Sequence, residues 1–456
     1  MSAQAPIAVL GAGLSGLACA HALTRAGRGC IVLEAADRVG GVVGSVRDKG
    51  FLFEMGPHTL QARSGEFRRL CGELGIAERL IASHPAVRER YLWVDGRLRA
   101  LPKKPWQLLT TSILSWKAKL TILSEGFRPW KAPSDGGELD MQSLLEERIG
   151  AEAARKLAGA FVRGIYAADL ADLGVRSAFP RLDELLVQHR SFLRALASIS
   201  QVAEDLPGPK VAGMELLSFP EGLDELVRAL TRALGERIHT QRAALSIARS
   251  GGAWRVRTTQ GELEARELVL ALPAPQARTL LEPHADMPEI AHGDLVLVQQ
   301  GFSLPEGERW PRGFGFLVPP GERGPQPRAL GVIFSSNLFA GRAPRGMHST
   351  ASFYARSALE GLDDGERIAQ AGRDLALGLG WKRPPQALAS RIWNWNSVIP
   401  RYSPGHRDRV EALELLLRSR AAGLHLAGPW VGGVSVEQVI ARGRLVAGRI
   451  LQGGPA

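Results

Sequence analysis

Three glycines and one acid carry the clearest chemistry in this chain. Gly11-Ala12-Gly13-Leu14-Ser15-Gly16 follows directly on Ile7-Ala8-Val9-Leu10, a run apolar enough for a parallel strand buried on both faces. Gly11 permits a tight strand-to-helix turn, Gly13 lets a pyrophosphate approach bare backbone, and Gly16 lets helix and strand pack closely. Leu14 and Ser15 open a helix with apolar positions Leu17, Ala20 and Leu23, closed by Gly27. The unpaired N–H groups and positive dipole end at the start of such a helix suit phosphate. A second apolar strand, Cys30-Ile31-Val32-Leu33, ends on Glu34 and Ala35. A carboxylate at Glu34 can accept hydrogen bonds from ribose hydroxyls and repels a 2′-phosphate. The chemistry these residues support is dinucleotide binding.

Several elements must position that turn. A chain of 456 residues calls for two or more lobes, and 45% hydrophobic with 23% charged residues argues for a folded protein. The 52 glycines and 28 prolines suit the many tight loops of a large α/β enzyme. Leu424-His425-Leu426-Ala427-Gly428 reads as a buried strand ending in glycine. Gly432-Gly433-Val434 and a helix with apolar Val436, Val439, Ile440, Val446 and Ile450 follow it. Between the two ends, Phe219 to Leu226 reads as a loop entering a helix through Leu234. Trp254 to Thr258 alternates as a strand, and Leu268 to Leu272 is a buried strand ending at a Pro273-Ala274-Pro275 crossover. Cys19, Cys30 and Cys71 have no metal-ligand or CxxC spacing and read as small hydrophobes, consistent with a reducing compartment. No metal site is expected. The start of the chain has no signal-peptide pattern, and no run approaches the ~18 apolar residues of a spanning helix.

The net charge of +11 fits nucleic acid, an anionic membrane surface or an acidic small molecule. Between Arg97 and Lys131 lie Arg97, Arg99, Lys103, Lys104, Lys117, Lys119, Arg128 and Lys131 against one acid, Glu125. Trp106, Trp116 and Trp130 are interleaved with leucine and isoleucine. Basic heads opposite tryptophan and leucine suit the interface of an anionic bilayer. No nucleic-acid-binding pattern accompanies them, so nucleic acid is not expected as a partner.

Arg38-Val39-Gly40-Gly41 follows Glu34, and this arrangement resembles FAD-binding oxidoreductases of the amine oxidase, phytoene desaturase and protoporphyrinogen oxidase group. In that group Arg38 stands near the phosphates, flavin lies along Gly40 and Gly41, and Gly428, Gly433, Val434 and Val436 complete the FAD site from the other chain end. Further stretches are similar to the oxygen-dependent protoporphyrinogen oxidase family: Phe53-Glu54-Met55-Gly56-Pro57, Gly164 to Asp169, Ser177-Ala178-Phe179-Pro180 with His189-Arg190-Ser191, Gly313 to Pro319, Leu330-Gly331, Ile399 to Tyr402 with Gly405-His406, and Gly433-Val434-Ser435-Val436. Their order and spacing separate the chain from amine oxidases and carotenoid desaturases.

The resemblance implies an α/β fold: a discontinuous Rossmann-type FAD-binding domain, a mixed-sheet substrate domain and a helical, membrane-associated insertion. It divides the chain into FAD-binding parts at 1–88, 213–292 and 399–456, an insertion at 89–212 and a substrate-binding part at 293–398. It implies an enzyme that oxidises protoporphyrinogen IX to protoporphyrin IX in haem biosynthesis, O2 reoxidising the flavin. Coproporphyrinogen III, a carotenoid or squalene-type substrate, and a non-enzymatic lipid-handling role stand as alternatives. Arg90 matches the arginine that meets a substrate propionate, and Gly315 and Leu317 match positions lining the macrocycle pocket. Ile333 and Phe353 are lining candidates from neighbouring strands. Gly56, Pro57 and His58 are placed beside the flavin, His58 without an acid–base role, and no catalytic side chain is assigned. The segment Thr350 to Arg356 lacks the paired glycines common at that point, and Glu437-Gln438 departs from the family's usual pair. A cytoplasmic enzyme at the inner surface of the cytoplasmic membrane is expected, with a second copy of the chain and a ferrochelatase as candidate partners.

Overall fold

The computed structural model describes residues 5–61, 65–102, 107–128, 130, 136–202, 216–322 and 324–453. Lys103, Lys104, Trp106, Lys131 and the expected boundary at 212/213 lie outside the described residues.

Five short apolar strands form one parallel sheet in the order Leu424–Leu426, Glu267–Leu270, Ile7–Leu10, Cys30–Leu33 and Ile238–His239. Val9 stands opposite both Val32 and Val269, and Val269 opposite His425. Segments from both ends and the middle of the chain therefore share one ladder. Val9, Val32, Leu268 and Val269 are completely buried, as strands covered by helices on both faces must be. The helices Leu14–Arg25 and Val436–Leu451 cross closely, since a Cβ on Gly443 would lie 2.1 Å from the Ser15 carbonyl oxygen. Pro273 caps a helix, Ala274–Leu281, so the Pro-Ala-Pro step opens a helix as well as ending a strand.

A second sheet of seven strands runs Ala387–Pro400, His292–Ser303, Met347–Ala355, Gly331–Ile333, Gly315–Leu317, Tyr91–Val94 and Arg97–Ala100. Its pairings are antiparallel except for Gly315–Leu317 against Tyr91–Val94. The stretch expected as a helical insertion thus begins with two strands of this sheet. Alternation along the strands divides its faces. Val296, Val298, Phe302, Phe316, Val332 and Tyr354 share a core with Ala371 and Leu375 of the helix Asp364–Leu379. Leu295, Leu297, Gln299, Ala351, Phe353, Ile333 and Leu317 occupy the other face, toward the cofactor half.

The helices from 107 to 202 pack around Ile113, Leu114, Leu144, Leu145, Val162, Leu173 and Leu186. Their arrangement departs from a simple division of basic heads and apolar rings. Trp130 is core, and Lys119 is buried with its Nζ donating to the Leu109 carbonyl at 2.9 Å. Glu125 is also buried. It accepts from Arg148 Nε at 3.0 Å, Ser191 Oγ at 2.7 Å and the Phe192 N–H at 2.7 Å. Burial alone would raise its pKa, but Arg148, Ser191 and the Phe192 amide together hold it below the ordinary value. Trp116, Leu120, Leu123 and Phe127, spaced four, three and four residues apart, are 71%, 64%, 55% and 87% exposed on one side of this segment. Among the described residues no helix is long and apolar enough to cross a membrane.

Glu125→Ala leaves the Arg148 cation buried and unpaired, which costs about 3–5 kcal/mol; urea unfolding at neutral pH should show a loss of this order. Because the folded carboxyl titrates below its unfolded value, its stabilisation is present above about pH 4.5 and lost as pH falls through the folded pKa. The wild-type and variant stability curves should therefore converge in acid.

Candidate functional site

The glycine turn is filled on two sides and open on the third. A Cβ at Gly11 (φ +102°) would lie 2.5 Å from the Ala271 carbonyl oxygen, and one at Gly16 would lie 2.0 Å from the Gly11 carbonyl oxygen. At Gly13 a Cβ would meet nothing within 4 Å, so bare backbone faces open space there. Gly40 is drawn against this turn, its N–H donating to the Ala12 carbonyl at 2.8 Å, and Gly13 and Gly40 form an isolated parallel bridge. Gly41 stands beside Gly13, within 3.4 Å of its Cα measured from a Cβ position. The Ala12 N–H donates to Glu34 Oε2 at 2.8 Å and the Ala36 N–H, beyond Ala35, to Oε1 at 2.9 Å. These bonds aim the carboxylate along the rim of the turn and leave further lone pairs for a ribose.

Arg38, expected near the phosphates, braces the loop between Val39 and Val43. Its guanidinium donates to the carbonyls of Val39 at 3.1 Å and Val43 at 3.3 Å and also to that of Gly41, closing the loop that carries both glycines. Leu14 and Ser15 are buried at the helix start, and Ser15 Oγ donates to the Ala427 carbonyl, tying this helix to the C-terminal strand. Gly428 leaves that strand where a Cβ would lie 2.3 Å from the Leu272 carbonyl oxygen. Gly433 (φ +112°) and Val434 lead to a capping box: the Gln438 N–H donates to Ser435 Oγ and the Ser435 N–H to Gln438 Oε1, each at 3.2 Å. Gln438, in the unusual pair noted in the sequence, thus closes the helix that begins at Val436. Bare Gly13, two neighbouring helix N-termini and the oriented Glu34 fit an adenine dinucleotide, and the Gly40-Gly41 step continues the trough toward Gly56.

At Gly56 a Cβ would lie 2.5 Å from the Val42 carbonyl oxygen, and Trp395 Nε1 donates to the adjacent Met55 carbonyl at 2.7 Å. Beyond Pro57, His58 is buried; its Nδ1 lies 3.0 Å from the Gly56 carbonyl and its ring stands edge-on to Phe353, 5.7 Å between centroids. Burial holds the imidazole down to about 4. Gly315, Leu317, Ile333 and Phe353 share one sheet face, because Gly315 pairs with Ile333, Ile333 with Ala351, Leu317 with Gly331 and Gly331 with Phe353. Gly315 (φ +147°) admits no side chain, since a Cβ would lie 2.0 Å from the Val332 carbonyl oxygen. The helix Ala160–Tyr166 presses on Leu317 at Gly164. Arg90 lies one residue before the strand paired to Gly315–Leu317, its guanidinium carbon 5.4 Å from the centre of the Phe314 ring. Burial depresses its pKa, and among the described residues no carboxylate or hydrogen-bond acceptor engages its guanidinium.

Sequence reasoning overlooked the buried polar groups that join the two halves. Glu54 and Arg342, each 2% exposed, are 3.5 Å apart. Glu54 also accepts from Ser45 Oγ at 2.6 Å and the Leu223 N–H at 3.2 Å, while Arg342 donates to Ser218 Oγ at 2.7 Å and the Phe219 carbonyl at 3.2 Å. Burial pushes the Glu54 carboxyl up to about 7 despite Arg342. Gln299 donates its amide N–H to the Glu54 carbonyl. A glutamate in the quoted Phe53-to-Pro57 stretch and glutamine in an apolar strand were the available signals, but their partners lie far away in sequence. A groove of about 500 Å³ on the opposite face of the sheet, at Val296, is a different place; its Arg356, Arg367 and Arg401 face Asp294, Asp364 and Asp172.

The family described as Flavin containing amine oxidoreductase matches residues 14–451. The chain is similar to protoporphyrinogen oxidase 1, chloroplastic, of Spinacia oleracea, 29% identical over 95% of this chain and 81% of that one. It is similar to protoporphyrinogen oxidase of Bos taurus, 29% identical over 98% of each chain. The crystal structure of an Exiguobacterium sp. 255-15 protein, provisionally assigned as a protoporphyrinogen oxidase, superposes with a TM-score of 0.85 at 23% identity, over 99% of this chain and 100% of that one.

Glu54→Gln, which mimics the protonated carboxyl, tests the buried pair. The folded Glu54 binds its proton more tightly than the unfolded chain does, so wild-type stability should fall as pH rises from about 4.5 through about 7. The loss is up to about 3 kcal/mol relative to Glu54→Gln; paired denaturation curves across that range measure it.

Proposed function

The chain belongs to the flavin containing amine oxidoreductase family, and from that premise we propose that it oxidises protoporphyrinogen IX to protoporphyrin IX with O2 as the final electron acceptor. FAD is its cofactor, held by the Gly11–Gly16 turn, Glu34, the Gly40-Gly41 step and the helix start at Val436; when bound it supplies the two-electron oxidant that no side chain provides. Orientation of the substrate and exclusion of water fall to the protein. Arg90 carries the reading. A half-buried guanidinium without a carboxylate or hydrogen-bond partner among the described residues, at the edge of a sheet face formed by Gly315, Leu317, Ile333 and Phe353, suits a flat apolar ligand with an acidic side arm. The names of the two curated relatives support the same substrate.

Purified, FAD-loaded protein is expected to turn protoporphyrinogen IX into fluorescent protoporphyrin IX in air, with peroxide formed. Activity on coproporphyrinogen III alone would overturn the substrate, and activity on neither would overturn the reaction. Arg90→Ala should raise KM about 10- to 100-fold, the worth of a charge-assisted hydrogen bond, with FAD content unchanged. Arg90→Lys should restore only part of this, since the forked geometry is lost.

We further propose that Trp116, Leu120, Leu123 and Phe127 seat the protein on a bilayer surface, with nearby Lys117 facing the headgroups. An exposed stripe of four large apolar side chains supports this reading. Co-sedimentation with anionic vesicles should fall sharply in a Trp116→Asp, Phe127→Asp double variant while flavin content stays constant.

A further inference from the structure

Porphyrinogen oxidation has a second half that the cofactor's electrons do not cover. Three two-electron steps take four hydrogens from the bridge carbons and two from pyrrole nitrogens, so each step removes a hydride from carbon and in two of them the accompanying proton comes from a pyrrole nitrogen. The cation left after hydride loss has an acidic N–H, so a weak neutral base is enough to take it, provided the base sits at the reacting centre and shielded from water.

His58 is built for that task. The Gly56 carbonyl has only lone pairs to offer, so Nδ1 is the protonated nitrogen and Nε2 carries the free lone pair. Nε2 is buried and, among the described residues, has no hydrogen-bond partner. Gln299 lies against the same ring, and its amide N–H is committed to the Glu54 carbonyl, which fixes Gln299 Oε1 as the end turned elsewhere. That oxygen is likewise buried without a partner among the described residues. Two unpaired acceptors at one place are costly unless a proton arrives, because each buried acceptor bears a desolvation penalty of about 1–3 kcal/mol. A protonated His58 would donate from both nitrogens and satisfy both carbonyl oxygens. Phe353, edge-on to the ring, links the pair to the face on which Gly315 and Leu317 lie.

We propose that His58 is the proton acceptor of the oxidation, taking the pyrrole N–H proton on Nε2 with Gln299 Oε1 receiving the new N–H. This rests on the porphyrinogen reading. One C–H bond breaks with its electron pair leaving for the flavin, one N–H bond breaks with its pair kept by the macrocycle as a new π bond, and an Nε2–H bond forms. O2 takes up the two electrons with the carbon-derived hydrogen and the proton released from His58, and leaves as H2O2. Burial keeps the ring neutral and ready at ordinary pH; the Gly56 carbonyl and Gln299 favour the cation, while Arg342, itself paired with Glu54, opposes it. The neighbouring Phe353 brings no charge.

His58→Asn keeps a polar side chain and removes the basic nitrogen. It should lower kcat on porphyrinogen about 10²-fold or more while FAD content and the affinity for oxidised porphyrin stay at wild-type levels. The acid limb of the wild-type kcat profile, where solvent protonates His58, should be missing in the variant. A His58→Asn enzyme with wild-type kcat and an intact acid limb overturns the proposal. Should that variant not retain FAD, NMR titration of labelled histidine decides. In the wild-type protein the His58 signal should titrate below the ordinary histidine range, and lower again in Gln299→Leu; a midpoint that Gln299→Leu does not move overturns the pairing. A wild-type enzyme inactive on porphyrinogen strikes the substrate reading, whereas an active wild type with an indifferent His58→Asn strikes only the role of His58.

Discussion

A backbone without side chains can face phosphate only if something else holds it rigid, and here the parallel ladder does so. Val9 is flanked by Val32 and Val269, with His425 beyond, so the turn at Gly11–Gly16 is anchored by segments from three remote parts of the chain. The same ladder sets Ala427 where Ser15 can reach it, and the contact at Gly443 sets one helix start beside the other. Remove the register and the N–H groups of both helices lose their common target. Positioning of the seven-stranded sheet follows from the same frame, because Trp395 and Gln299 bond to the carbonyls of Met55 and Glu54.

The seven-stranded sheet serves two environments with one set of strands. Its outer face packs Val296, Val298, Phe302 and Tyr354 under a helix, while the inner face holds Leu297, Gln299 and Phe353. A period of two residues suffices for this separation. It also explains how Gly315, whose conformation excludes a side chain, and Leu317 stand together although Phe316 between them is core. One apolar wall thus follows from strand alternation, with the buried polar groups of Gln299 and His58 beside it.

Local chemistry was legible in the sequence, and distant pairing was not. The first strand, the glycine turn, the helix and Glu34 lie within one short stretch, so spacing alone orders them. The flavin assignment and the pocket residues came by family resemblance, and the structure sets Gly315, Leu317, Ile333 and Phe353 on one face. Arg38 illustrates the limit: its type suits phosphate, and its bonds to three loop carbonyls are decided by how Val39 to Val43 folds. Lys119 was read as one of the basic heads, and the burial of Glu125 went unforeseen, because nothing adjacent in sequence announces Leu109 and Arg148 as their partners. Glu54 and Arg342 were missed for the same reason, since one ends the short strand Phe51–Glu54 and the other lies in a loop before Met347–Ala355 of the seven-stranded sheet.

The contribution of residues 424–451 to the cradle has a consequence for biosynthesis. While the chain is still being translated, the strand Ile7–Leu10 has one neighbour, Cys30–Leu33, and waits for Glu267–Leu270, and then Leu424–Leu426, to emerge. The nascent amino-terminal segment consequently has no finished nucleotide receptor to nucleate upon, and loading is postponed until residues 424–451 have left the ribosome. Such late closure of sequence-distant contacts is intrinsically slow and leaves sheet edges open to other chains in the interim.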